Sequence, residues 1–165
     1  MMSVFDHAEF DNHESLHYFF DDKTGLRAIV AVHSTALGPA AGGTRRWVYD
    51  NDADALTDVL RLSRGMTYKN AVAGLKFGGG KAVILASDEA PKSPELFRAF
   101  GRCVNELSGH YITAEDVGVS VGDMRYVHEE TEYVSGLPQS GSDAGGDPSP
   151  WTAPVSYTHL RAHET

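Results

Sequence analysis

Residues 74–107 read GLKFGGGKAVILASDEAPKSPELFRAFGRCVNEL. The glycine-rich run Gly74 to Gly80 leads into Ala82-Val83-Ile84-Leu85-Ala86. That run is continuous, apolar and of strand length, so it reads as a short buried strand. Ser93-Pro94 then opens a helix, with proline at the first helical position, where a missing N–H costs nothing. Leu96, Phe97, Phe100, Cys103, Val104 and Leu107 recur at helical spacing and form one apolar stripe. Cys103 reads as a core residue of that stripe. Downstream, Tyr111-Ile112-Thr113 reads as a strand, Val121 to Thr131 as a helix and Tyr133-Val134-Ser135 as a strand. Strands alternating with helices imply an α/β sheet covered by helices.

Working back toward the start, Asp50 to Asp54 supplies helix-capping groups and acids for a first turn. Leu56, Val59, Leu60 and Ser63 follow at helical spacing. Leu37 to Thr44 (LGPAAGGT) reads as a loop whose glycines let backbone approach a ligand. Leu16 to Phe20 and Leu26 to Val32, separated by Asp21-Asp22-Lys23-Thr24-Gly25, predict a β-hairpin with a longer loop. Residues 3–12 read as a short polar helix. Ser140 to Pro150 is rich in Gly, Ser, Asp and Pro, which marks an exposed loop or linker.

Composition narrows the function. Acids outnumber bases 23 to 14, for a formal charge of −9, in a chain of 165 residues. Phosphate backbones need a basic surface, so nucleic acid is not the expected partner. No apolar stretch is long enough to span a bilayer, and the start lacks the regions of a signal peptide. A single cysteine cannot form an internal disulfide, and together these point to the cytoplasm.

Two lysines sit in unusual company. Lys69 lies in GMTYKNA, at the apolar end of a helix, and Lys81 lies between three glycines and an apolar strand. Desolvation there disfavours the charged form and lowers the pKa, which suits a general base, and a second lysine nearby pushes the same way. On spacing alone, both are equally well read as surface lysines. Glu115 and Asp116 follow a strand where its carboxyl end opens into a loop, the edge at which open α/β sheets bind ligands. An acid there either exchanges a proton with substrate or caps the next helix.

Three other patterns carry less. Gly78-Gly79-Gly80-Lys81 lacks the Ser/Thr of a phosphate loop, since Ala82 stands there. Gly78-x-Gly80 is not a dinucleotide fingerprint, because Val83 holds the third position. His13-Glu14-Ser15-Leu16-His17 matches a zinc-hydrolase pattern, but it runs into a strand, where residues four apart cannot chelate as on a helix. No metal is expected.

Five segments in order carry a resemblance: LGPAAGGTRRW (37–47), RGMTYKNAVA (64–73), FGGGKAVI (77–84), YITAEDVG (111–118) and DPSPWTA (147–153). Together they resemble the N-terminal oligomerisation domain of the glutamate/leucine/phenylalanine/valine dehydrogenase family, on the leucine, phenylalanine and valine side. The resemblance implies a three-layer αβα sandwich on a mixed, mostly parallel sheet. It implies NAD-dependent oxidative deamination of an L-amino acid, branched-chain or aromatic, to a 2-oxo acid and ammonium. By motif, Lys69 would hold the substrate carboxylate, Lys81 would be the base that activates water, and Asp116 would shuttle the amino-group proton. Gly42 and Gly43 would bring backbone to the substrate, and Ala41, Met66 and Ala114 would face its side chain. Thr152 would lie near the nicotinamide. Many leucine dehydrogenases carry Leu where this chain has Ala41, and a smaller residue leaves more room.

The resemblance also implies domain limits: residues 1–139 as the oligomerisation and substrate domain and 140–153 as the start of an interdomain linker. Residues 154–165, including SYTHLRAHET with His159 and His163, resemble translated adapter read-through and are expected to be non-native. NAD would be bound mainly by a Rossmann domain that the family carries after this point, so the chain alone is expected to be inactive and to form a homo-oligomer. The competing expectation is a stand-alone oligomerisation or amino-acid-binding module without catalysis.

Overall fold

The computed structural model describes residues 3–137 except Glu89. Five strands form one sheet in the order β1-β2-β4-β3-β5. They are β1 (Ser15–Asp21), β2 (Leu26–Ser34), β3 (Ala40–Trp47), β4 (Gly78–Leu85) and β5 (Tyr111–Glu115). The hairpin β1–β2 is antiparallel, β2 pairs antiparallel with β4, and β3 pairs parallel with both β4 and β5. Four strands therefore run one way and β2 alone opposes them. The predicted hairpin is present, with the Asp21 carboxylate accepting from the Thr24 N–H and hydroxyl inside its turn.

Three helices cover the sheet: α1 (Asp52–Val72), α2 (Pro94–Glu106) and α3 (Val121–His128). Each begins where a short polar side chain accepts an otherwise orphaned backbone N–H. Asn51 caps α1 and Ser93 caps α2, while Ser120 and Asp123 cap α3 reciprocally. Alternation along the strands divides the core into two layers. Ile29, Ala31 and Val83 meet Ala55 and Val59 of α1 on one face. Val30, Ala82, Ile84 and Tyr111 meet Phe97 and Phe100 of α2 and Met124 of α3 on the other. This is the three-layer αβα arrangement. Cys103 packs against the second layer, and burial pushes its thiol up to about 11.

Four local expectations change. Residues 37–44 are not one loop: β3 starts at Ala40 and lies between two parallel neighbours. Glycine there serves close packing within a sheet, a use that a loop reading cannot distinguish. Residues 3–12 form only a 3-10 turn, Val4–Asp6, after which His7 is extended and Asn12 takes a positive φ of 52°. The α3 helix stops at His128 rather than Thr131. Tyr133-Val134-Ser135 contributes one parallel bridge, Thr113 to Val134, and not a full strand. The expected linker and tail, residues 140–165, lie outside the described residues.

The layer containing α1 positions the cleft. That helix crosses from β3 to β4 and packs over β4 and β2, leaving the same face of β3 and β5 uncovered by helix. Gly79 sets how close it comes. A Cβ at Gly79 would run into the backbone nitrogen and hydroxyl of Thr67. With any larger residue the C-terminal half of α1 would have to lift from the sheet.

Candidate active site

A cleft of about 930 Å³ opens beside α1 on the uncovered face of β3 and β5. Its floor is made of small residues, with Ala41 and Gly43 on β3 and Ala114 on β5. Met66 and Lys69 reach it from α1, and Lys81 from β4. Asp116 closes it just past the carboxyl end of β5, and Gly42 lines it too. The structure thus brings together Lys81, Asp116, Lys69, Gly42, Gly43, Ala41, Met66 and Ala114. Thr152 lies outside the described residues.

The two lysines differ. Lys81 is 5% exposed. Its parity on β4 follows Val83, which faces α1, so the side chain is pressed between sheet and helix. Lys69 is exposed on the cleft wall and makes no hydrogen bond or ion pair with the described residues. One lysine is therefore a desolvated amine and the other a free cation.

Lys81 Nζ donates to Asp116 Oδ2 at 2.6 Å. Burial pushes the Lys81 ammonium below the ordinary lysine value, against the hydrogen bond and charge of Asp116. The second cation pressing on it is Arg45 rather than Lys69, a correction to the expected lysine pair. Burial alone would raise the Asp116 carboxyl. The hydrogen bond and charge of Lys81, with the Val117 N–H and Arg45, outweigh burial and hold it below the usual carboxylate range. Asp116 does not cap α3, whose cap is Ser120. Gly43 leaves room for it: a Cβ there would strike the Glu115 carbonyl oxygen and come 2.9 Å from the Asp116 Cβ.

Sequence reasoning missed Arg45, Asp58, Tyr49 and Asn70. Arg45 Nε donates to Asp116 Oδ2 at 3.3 Å, and its Nη1 donates to Asp58 Oδ2 at 2.9 Å. The Tyr49 hydroxyl donates to the same Asp58 oxygen at 2.7 Å. Asn70, nearly buried, donates to the Gly78 carbonyl at 2.6 Å and ties the end of α1 to the start of β4. Parity on β3 was the available signal for Arg45, since it shares a face with Ala41 and Gly43, but reading 37–44 as a loop hid it.

The remaining motifs are structural. His13 Nε2 lies 3.1 Å from the Leu60 carbonyl and 3.0 Å from Ser63 Oγ, while His17 sits on β1 against Ser15. Glu14 accepts from the Thr35 N–H and hydroxyl. Among the described residues no group of three or more His, Cys, Asp or Glu is placed to hold a metal ion. Gly78 and Gly80 lie inside β4, where Cβ atoms would strike the Ser34 carbonyl and the Tyr111 ring. They do not form a strand-to-helix turn, so these glycines do not fit a dinucleotide pyrophosphate. No helix among the described residues is long and apolar enough to cross a membrane.

Fold and cleft together define an α/β domain with a desolvated lysine hydrogen-bonded to a carboxylate at the end of parallel strands, an arrangement typical of enzyme acid–base sites. Residues 13–133 match the Glu/Leu/Phe/Val dehydrogenase dimerisation domain, and the chain belongs to that family. It is 52% identical over 162 residues to a leucine dehydrogenase of Bacillus subtilis (strain 168), covering 98% of this chain and 44% of that protein. It is 48% identical over 157 residues to a valine dehydrogenase of Streptomyces albus, covering 94% of this chain and 43% of that one. The L-tryptophan dehydrogenase structure from Nostoc punctiforme superposes with a TM-score of 0.72 at 48% identity, over 74% of this chain and 37% of that one. The chain thus spans less than half the length of the curated relatives it matches.

Proposed function

We propose that this domain binds an L-amino acid in the β3–β5 cleft and supplies the acid–base groups for its NAD-dependent oxidative deamination to a 2-oxo acid and ammonium. The observation that carries the reading is the 2.6 Å Lys81–Asp116 pair in the same cleft as the unpaired cation of Lys69. The substrate carboxylate needs a fixed positive charge, and Lys69 offers one from the wall. Lys81, depressed by burial, is neutral over more of the working pH range than an exposed lysine and accepts a proton from water attacking the imino carbon. Asp116, held ionised, takes the proton of the substrate ammonium and returns it to the departing amine. When bound, NAD would supply the hydride acceptor. The groups that would hold NAD are not among those lining this cleft, and Thr152 lies outside the described residues.

Ala41, Met66 and Ala114, which line the cleft, would face the substrate side chain, and their small or apolar surfaces suit a branched-chain or aromatic amino acid. The test is an assay of the full-length protein with NAD and a panel of L-amino acids. Ala41→Leu is expected to lower kcat/KM for the bulkiest accepted substrate by roughly 10- to 100-fold relative to valine, the scale of a few methylenes in a tight pocket. An unaltered substrate ranking in that variant counts against Ala41 as a wall. No deamination of any amino acid by the full-length protein refutes the reading.

Self-association is part of the proposal. The family is defined by a dimerisation domain, and β1 is an edge strand that exposes Tyr18 and Phe20 at 62% and 71%. Light scattering is expected to give the mass of a dimer or larger. A monomer at micromolar concentration contradicts it.

A further inference from the structure

We propose that Arg45 is a positioning residue for the proton-transfer pair: anchored by Asp58 and Tyr49, its guanidinium fixes Oδ2 of Asp116 against Lys81. The inference rests on the reading of Lys81 and Asp116 as the acid–base pair.

The geometry is a network of five side chains, from β3, the β3–α1 connection, α1, β4 and the residue after β5. Asp116 Oδ2 takes both Lys81 Nζ, at 2.6 Å, and Arg45 Nε, at 3.3 Å. Arg45 uses a different nitrogen, Nη1, to reach Asp58 Oδ2 at 2.9 Å. Asp58 is on α1, and its same oxygen accepts the Tyr49 hydroxyl at 2.7 Å. A guanidinium is planar and rigid, so fixing it at one edge orients its other donors. Arg45, Asp58 and Asp116 side chains are each about a quarter exposed, at 25%, 27% and 25%, so the network is partly desolvated and not a loose surface pair. Burial and the Asp58 hydrogen bond raise the Tyr49 hydroxyl, which stays protonated and remains a donor.

The arrangement fits orientation better than binding. Arg45 already directs Nε and Nη1 at two carboxylates, whereas Lys69 is the unpaired cation in the cleft. Its charge also acts on both members of the pair in a way that suits the chemistry. It helps hold Asp116 ionised and adds to the burial that depresses Lys81. The charged groups acting on the pair are Arg45 from β3 and Asp58 from α1, with Tyr49 of the β3–α1 connection bonded to Asp58, while Lys69 and Glu115 line the same cleft.

The charge and the fork can be separated. Arg45→Gln removes the charge, so both Asp116 and Lys81 are expected to titrate at higher pH, and the pH–turnover profile for deamination moves to the alkaline side. Arg45→Lys keeps a charge but loses the rigid fork, so the profile keeps its position while kcat falls. The loss in kcat is expected to be roughly 10- to 100-fold in both variants, the scale of a misplaced reacting group, with KM for the amino acid changing much less. The Asp116 carboxyl is followed directly by carbon-13 NMR in wild-type protein and in each variant.

An unchanged Asp116 titration in Arg45→Gln, together with a superimposable pH profile, overturns the proposal. So does an equal alkaline shift in Arg45→Lys. The NMR titration does not depend on catalysis. If Lys81→Ala retains turnover, the functional reading fails while the Arg45 effect on Asp116 is still decided.

Discussion

Lys81→Ala is expected to lower turnover by roughly 100-fold or more in the full-length enzyme, the scale on which general acid–base catalysis operates. The reason is the contrast between the cleft's two lysines. Lys81 is 5% exposed and hydrogen-bonded, whereas Lys69 is open to solvent. Burial at Lys81 favours loss of its proton. Alanine removes the base without a packing demand on the far layer, because Lys81 faces α1. Lys81→Arg sharpens the test, since a guanidinium keeps the charge and cannot act as a base in the working pH range. A base role makes both variants equally poor, while a purely electrostatic role leaves the arginine variant substantially active. In wild type, deamination rate is expected to rise through a pKa below that of an ordinary lysine. Near-normal turnover in Lys81→Ala would sink the assignment.

Asp116→Asn is expected to cost turnover on the same roughly 100-fold scale, by removing the proton carrier while keeping the side chain's size. It also strips Lys81 of its hydrogen-bonded counter-charge. Asp116 supports the charged form of Lys81 in both ways, so Lys81 is expected to titrate at still lower pH in the variant. An amine-reactive acylating reagent should then label Lys81 at lower pH than in wild type. Breaking a buried ion pair costs about 3–5 kcal/mol when both partners are fully buried. With Asp116 a quarter exposed and Lys81 able to shed its proton, roughly 1–2 kcal/mol is expected, read by urea unfolding. Labelling of Lys81 at an unchanged pH would show that the two groups are not coupled.

The parts of this fold legible in the sequence were those with a local signal. The β1–β2 hairpin follows from two apolar runs flanking a turn and the α2 stripe from helical spacing, and the structure keeps both. The central strand β3 was illegible because its first four residues are alanine and glycine. Its inner face carries almost no side chain, so no hydrophobic period marks it. The candidate site divided in the same way. Lys81 and Asp116 stood out because each lies next to an element whose type was readable. The Arg45–Asp58 contact spans 13 residues and the Arg45–Asp116 contact 71, from a strand taken for a loop. A contact between distant segments leaves no local signature. Conversely, residues 3–12 looked helical by composition, but tertiary contacts hold them: Glu9 pairs with Arg64, and His7 Nε2 lies 3.2 Å from the Thr57 hydroxyl.

The strand order has a consequence for how the chain acquires this centre. Chain order runs β3, α1, β4, α2, β5, yet β5 lies against β3 and not against β4. The Arg45 contact with Asp116 therefore closes a loop of 71 residues, while Lys81 and Asp116 are 35 apart. Loop closure costs entropy before any contact rewards it, so such non-local pairings form late. A folding chain can assemble β3, α1 and β4 and already press Lys81 toward an apolar layer with no carboxylate beside it. A lysine in that position sheds its proton rather than remain a lone buried charge. The centre is thus electrically incomplete until the last strand docks, and its ammonium–carboxylate contact is a reporter of the finished sheet.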